Sequence, residues 1–134
     1  MFMKILIAED DFVSRKFIFK FMSQFGDCDV TVDGMEAIEV FLMSLEEGSY
    51  YDLVCLDIMM PEVDGLKALK TMRKLEEERN IPEVNRAKVI MTTALNSTDE
   101  VFDSFGSGSE AYAVKPIDTE KLTDVMRKLG LIAT

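Results

Sequence analysis

The 134-residue chain has no histidine and no tryptophan, and only two cysteines and three prolines. Without histidine there is no Ser-His-Asp or Cys-His relay within the chain, and no metal site built on imidazole. Nor can the chain serve as its own phosphohistidine donor. Cys28 and Cys55 are too few for a disulfide framework. Each falls in a strand-like apolar stretch, where a free thiol behaves as a small buried hydrophobe. No apolar run approaches the roughly 20 residues of a membrane-spanning helix. Basic residues are scarce, 15 against 25 acidic, for a net charge of −10. Surfaces that hold nucleic acid or anionic lipid need the opposite balance, so neither is an expected partner. The opening Met1-Phe2-Met3-Lys4-Ile5 soon meets Glu9-Asp10-Asp11 and lacks the pattern of a signal peptide, which predicts a cytoplasmic protein.

What is present is a 48% share of hydrophobic residues, enough for the core of one domain spanning residues 1–134. Short apolar runs alternate with longer helical patterns. Residues 4–8 (KILIA), 28–32, 53–56 (LVCL), 88–91 (KVIM) and 111–114 read as strands. LVCL, apolar throughout, suits a strand buried on both faces. Residues 14–25 put Phe17, Phe21 and Phe25 on one helical stripe with Ile18 and Met22 beside it, and leave Phe19 off it. Ala37, Ile38, Phe41, Leu42 and Leu45 mark a second helix. Leu66, Leu69, Met72 and Leu75 mark a third, opened by Asp64-Gly65 and ending in a charged run, Glu76 to Arg79, expected to be solvated. Residues 98–105 make a short, weak fourth helix, and residues 119–129 a fifth capped by Asp118. Strands alternating with helices in this way predict crossover units and a mostly parallel sheet, covered on both faces. No linker, repeat or low-complexity tract suggests a second domain, and none is expected after Leu129.

Ligands of an open α/β sheet bind beyond the carboxyl ends of its strands. Polar residues collect at that edge: Glu9-Asp10-Asp11 after the first strand, Asp57 after the third, Thr92-Thr93 after the fourth and Lys115-Pro116 after the fifth. Three carboxylates from Glu9, Asp10 and Asp57 would repel one another unless a cation joined them. An all-oxygen ligand set without histidine or paired cysteine favours Mg²⁺ over zinc. Lys115 adds a point charge for a phosphoryl oxygen and Thr93 a hydroxyl donor. A carboxylate so placed can form an acyl phosphate, with cations stabilising the oxygens in flight.

These residues resemble a known family. ILIAEDD, LDIMMPEVDG, VIMTTA and GSEAYAVKPI, in that order and spacing, are similar to the receiver domains of two-component response regulators, most of all the stand-alone chemotaxis type. The resemblance runs from Lys4 to Leu129. It implies a flavodoxin-like (βα)5 three-layer sandwich with strand order 2-1-3-4-5, an order that general knowledge of chemotaxis receivers supplies. It further implies that Asp57 is the phosphoacceptor and that Asp10 binds Mg²⁺ directly while Glu9 acts through water. Mn²⁺ is the expected substitute for Mg²⁺ in such sites. The backbone carbonyl of Met59 matches a metal ligand, Thr93 and Lys115 the phosphate-contacting pair, and Tyr112 the switch aromatic. A phosphohistidine on a sensor kinase or phosphotransfer protein would be the donor, and an unknown downstream protein the target. Output would leave through the fourth helix, fifth strand and fifth helix.

Other readings of the same residues stay in view. Tyr112 also suits an ordinary half-buried strand tyrosine, and Phe102 and Phe105 can be lone exposed aromatics rather than a docking face. The segment at residues 77–86 looks longer than the family's, and should lie away from the chemistry. Ser107-Gly108-Ser109 predicts a mobile loop. Met59 and Leu95 border the phosphoryl path with side chains that cannot orient water, which predicts slow self-hydrolysis. An aspartyl-phosphate phosphatase would need a second acid where Met59 stands. A flavin module would need a loop rich in Ser, Thr and Gly where Glu9-Asp10-Asp11 stands. Relay intermediate, phosphate sink and unphosphorylated scaffold share the receiver's residues.

Overall fold

The computed structural model describes residues 2–94, 103 and 105–133. Strand β1 (Met3–Ala8) leads into α1 (Phe12–Met22), β2 (Gly26–Thr31) into α2 (Gly34–Glu47), and β3 (Leu53–Asp57) into α3 (Gly65–Glu78). A short 3-10 turn, Glu83–Asn85, precedes β4 (Lys88–Thr93). Strand β5 (Ala111–Val114) and α4 (Thr119–Lys128) follow. All strand pairs are parallel, in the order β2-β1-β3-β4-β5, as the resemblance implies. Most of the fourth helical stretch read from the sequence, Phe102 included, lies outside the described residues; residues 103, 105 and 106 are helical.

Alternation along the central strands divides the core in two. Leu6, Val54, Leu56, Val89 and Met91 face α2 and α3, meeting Ala37, Phe41, Leu69 and Met72. Ile5, Ile7, Leu53, Cys55 and Ile90 face the other way, meeting Ile18 and Met22 of α1 and Leu122 and Met126 of α4. Burial of Cys55 pushes its thiol up to about 12, consistent with a core residue. Each of α1 to α4 starts on an aspartate whose carboxylate accepts backbone N–H groups: Asp11, Asp33, Asp64 and Asp118. No helix among the described residues is long and apolar enough to cross a membrane.

Two sequence expectations need correction. The buried face of α1 is Ile18 and Met22 with Phe21 partly covered; Phe25 is partly covered beyond the end of the helix, whereas Phe17 is 46% exposed. The sheet touches α1 over a narrower arc than the phenylalanine spacing suggested. Glu76, expected in solvent, is buried at 1% exposure, because it continues the Leu69–Met72 stripe of α3 inward. By contrast, the longer segment at residues 77–86 lies where the sequence reading placed it. Val84, Asn85 and Arg86 sit near Asp52 at the amino ends of the strands, opposite Asp57.

Candidate functional site

Because all five strands are parallel, their carboxyl ends share one edge, and the predicted residues meet there. Glu9 follows β1 and is fully buried; Asp57 closes β3 at 3% exposure; Thr93 closes β4 and is fully buried. Asp10 is exposed at the rim. Carboxylate oxygens of Glu9, Asp10 and Asp57 all lie within 4.8 Å of one another. Lys115, just beyond β5, reaches back so that its ammonium donates to Glu9 and, at 3.2 Å, to Oδ2 of Asp57. The other oxygen of Asp57 accepts the Met59 N–H at 3.3 Å.

Local structure holds these groups in place. Asp11 points away from the cluster, its Oδ2 capping α1 through the Ser14 N–H at 2.8 Å, while its own N–H donates to Glu9 Oε2 at 3.0 Å. Arg15, one turn into α1, ties down the loop by donating to the carbonyls of Glu9 (3.0 Å) and Asp10 (3.1 Å). Sequence reading missed Arg15, since nothing marks which helix residue folds back on its own cap. Gly65 was read only as a helix opening. A Cβ there would stand 2.1 Å from the Asp57 carbonyl oxygen, so α3 reaches the site because this residue has no side chain.

The electrostatics are those of a crowded anionic pocket. Burial raises the pKa of Glu9, against the opposing hydrogen bond from Lys115, and neighbouring Asp57 pushes it the same way. Burial pulls the Lys115 pKa down, but its hydrogen bond to Glu9 and the charge of Asp57 outweigh that and leave it raised. Lys115 therefore stays cationic. One lysine cannot balance three carboxylates, and the exposed, all-oxygen side of the cluster fits a hard divalent cation.

Tyr112 lies one strand over. Its register partner on β4 is Met91, and Thr93 pairs with Val114, so Tyr112 and Thr93 share one face of the sheet. The Tyr112 ring is 38% exposed and meets Phe105 edge-on, with centroids 5.9 Å apart. Leu95, the other residue expected beside the phosphoryl path, lies outside the described residues. Met59 is 57% exposed beside Asp57.

A second polar cluster stands apart from this site. Arg73 of α3 donates to Glu76, to Glu110 and to the carbonyls of Ala87 and Gly108. This corrects the expectation of a mobile loop after the fourth helical stretch: Gly108 is held by two of these bonds and Ser109 is buried. The available signal was a carboxylate, Glu76, at the spacing of the buried stripe of α3.

Comparison with known proteins agrees with this arrangement. Residues 5–127 match the family model described as the response regulator receiver domain. The transcriptional regulatory protein CiaR of Streptococcus pneumoniae is 35% identical over 119 residues, covering 89% of this chain and 47% of that protein. The receiver domain of Francisella response regulator 1452 is 34% identical with a TM-score of 0.72, covering 96% of this chain and 95% of that one. CheY in a CheX-CheY-BeF3-Mg complex from Borrelia burgdorferi is 26% identical with a TM-score of 0.79, covering 96% and 89%. The chain spans about half the length of CiaR and only 7% of some other curated relatives that it matches.

Proposed function

The chain belongs to the response regulator receiver domain family, and on that premise we propose that it is a phosphorylation-dependent switch whose phosphoacceptor is Asp57. The observation that carries this reading is the convergence of Lys115 and two further carboxylates, Glu9 and Asp10, on the buried Asp57 at the carboxyl edge of the sheet. An oxygen of Asp57 attacks phosphorus in line as the P–N bond of a phosphohistidine breaks. The imidazole leaves with the bonding electron pair and takes up a proton. With acetyl phosphate the P–O bond breaks instead and acetate leaves. Lys115, already beside Oδ2, follows the charge to a phosphoryl oxygen, and the Thr93 hydroxyl donates to another. Glu9, Asp10, Asp57 and the Met59 carbonyl would hold Mg²⁺, or Mn²⁺ in its place, which supplies charge neutralisation for the transferring group.

The donor is a sensor kinase or a histidine phosphotransfer protein. Its approach is suited by a largely apolar groove of about 270 Å³ next to Lys115, lined by Val13, Phe17, Ile18, Pro116 and Ile117. On phosphorylation Thr93 moves toward the phosphoryl group and Tyr112, on the same face, turns inward into the space vacated. The signal leaves through the surface around Phe105, Tyr112 and α4 to a protein target. Turnover of outside phosphate esters is not part of it, because Met59 stands where a second acid would act.

Incubation with acetyl phosphate and Mg²⁺ tests the reading by intact mass. Gain of one phosphoryl group, lost again with hydroxylamine, is the expected result. Folded protein that stays unmodified overturns it and leaves the scaffold reading. A companion prediction concerns lifetime. The Met59 side chain ends in a thioether, too weak an acceptor to orient water at the acyl phosphate, so the modified form should decay slowly once donor is removed. Met59→Asn should speed that decay roughly tenfold, less than the 10²–10⁴-fold of a true general base because an amide orients water without taking its proton. An unchanged rate would assign the lifetime to other residues.

A further inference from the structure

Outside the phosphoacceptor site, the most elaborate polar cluster among the described residues is centred on Arg73. All three guanidinium nitrogens are engaged. Nε donates to the Gly108 carbonyl at 3.0 Å, and Nη1 to Glu76 Oε1 at 2.7 Å and the Ala87 carbonyl at 2.8 Å. Nη2 donates to the Gly108 carbonyl at 2.8 Å and to both oxygens of Glu110 at 2.6 and 2.9 Å. The acids are held in turn: Glu76 accepts the Ala87 N–H at 2.9 Å, and Glu110 the Val89 N–H at 3.4 Å. Gly108 has φ +106, and a Cβ there would meet Arg73 Cγ and Nε at 3.0 Å, so a glycine is what lets the arginine lie along this backbone. A partly buried guanidinium with this many partners holds one geometry, because each bond lost would strand a desolvated charge.

Its position gives that rigidity a use. Glu110 immediately precedes β5, and Lys115 immediately follows it. By strand alternation Glu110 shares the face of Tyr112, two residues on. The four residues of β5 are thus tied at one end to α3 through Arg73 and at the other to Glu9 and Asp57 through Lys115. We propose that the Arg73–Glu76–Glu110 cluster is the fixed anchor of the switch. It holds the start of β5 against α3, so that a pull at the phosphoryl end turns the Tyr112 ring instead of sliding the strand. Arg73 is a positioning residue some way from the chemistry, and this role rests on the reading of Asp57 and Tyr112 above.

The test uses the full chain with 13C-labelled tyrosine, titrated with beryllofluoride and Mg²⁺ as a phosphoryl mimic. The 19F resonance of bound beryllofluoride reports occupancy of Asp57 independently of Tyr112. In the parent, saturation should shift the Tyr112 ring resonances. In Arg73→Ala, half-saturation should stay within about threefold of the parent, as for distant, independent sites, while most of the Tyr112 shift is lost. Arg73→Lys, a single ammonium that cannot bridge both acids and both carbonyls, should fall between. If Arg73→Ala fails to fold, Glu110→Gln keeps the shape of the cluster, removes its outer ion pair and should show the same separation of occupancy from response. A folded variant that fills Asp57 and shows the full parental Tyr112 shift overturns the anchor. A parent that binds no beryllofluoride, or binds it with Tyr112 unmoved, overturns the underlying switch reading and the anchor with it.

Discussion

Asp57→Asn is expected to gain no phosphoryl mass from any donor, under conditions where the parent is modified to completion. An amide oxygen is a far weaker nucleophile than a carboxylate, and no other described acid takes Asp57's place between Lys115 and the Met59 N–H. The variant should fold as well as the parent. Removing one of three crowded carboxylates relieves repulsion, and the Lys115–Glu9 pair remains. Lys115→Ala makes the matched comparison. It leaves the nucleophile intact but withdraws the ammonium that contacts Glu9 and Asp57, and should slow phosphorylation by roughly 10²-fold, the usual cost of losing a preorganised charge donor. Lys115→Arg should not restore the rate, since a planar fork cannot replace a point charge placed between two carboxylates. Mass spectrometry over time reads all three variants. A phosphorylated Asp57→Asn protein would show that the acceptor lies elsewhere.

Gly65→Ala is expected to destabilise the fold by about 3 kcal/mol, at the upper end for overpacking, and to slow phosphorylation as well. Helix propensity alone predicts the opposite sign, a gain of up to about 1 kcal/mol for alanine over glycine. The backbone of Gly65 has no left-handed φ to excuse the glycine. Contact decides it. The added Cβ would lie 2.1 Å from the Asp57 carbonyl oxygen and 2.8 Å from its carbonyl carbon and from the Ile58 Cα. All three are backbone atoms, so relief requires α3 or the end of β3 to move. The Gly65 N–H bond to the Ile58 carbonyl, 2.9 Å, would lengthen with it. A displacement of about 1 Å at a reacting group can cost on the order of 10²-fold in rate. Urea denaturation and the acetyl phosphate reaction, measured on one preparation, check both effects. A variant as stable and as reactive as the parent would mean that α3 packs less closely on Asp57 than its geometry indicates.

Much of this protein is legible in its sequence because its pattern is local. β-branched runs alternate with helical stripes, and an aspartate stands before each of four helices, so strand and helix types follow from periodicity and capping. Parallel strands place their carboxyl ends on one edge, so the residues after them, Glu9, Asp10, Asp57, Thr93 and Lys115, are brought together by topology alone. The acidic excess and missing histidine narrow the chemistry further before any fold is known.

What the tertiary structure decided depends on partners distant in the chain. Phe17 and Phe21 look alike in sequence, yet the narrow contact of α1 with the sheet exposes the first and partly covers the second. Glu76 looks like one of a solvated acidic run. It is buried because Arg73 and the Ala87 N–H, 11 residues on, supply the charge and hydrogen bond that an inward carboxylate requires. Glu110 and Gly108 join the same guanidinium from 37 and 35 residues away. A glycine-serine stretch that reads as loose is therefore held. Periodicity reports which face of an element is apolar, but only the packed chain determines which buried charge finds a partner, since that rests on contacts no local pattern encodes.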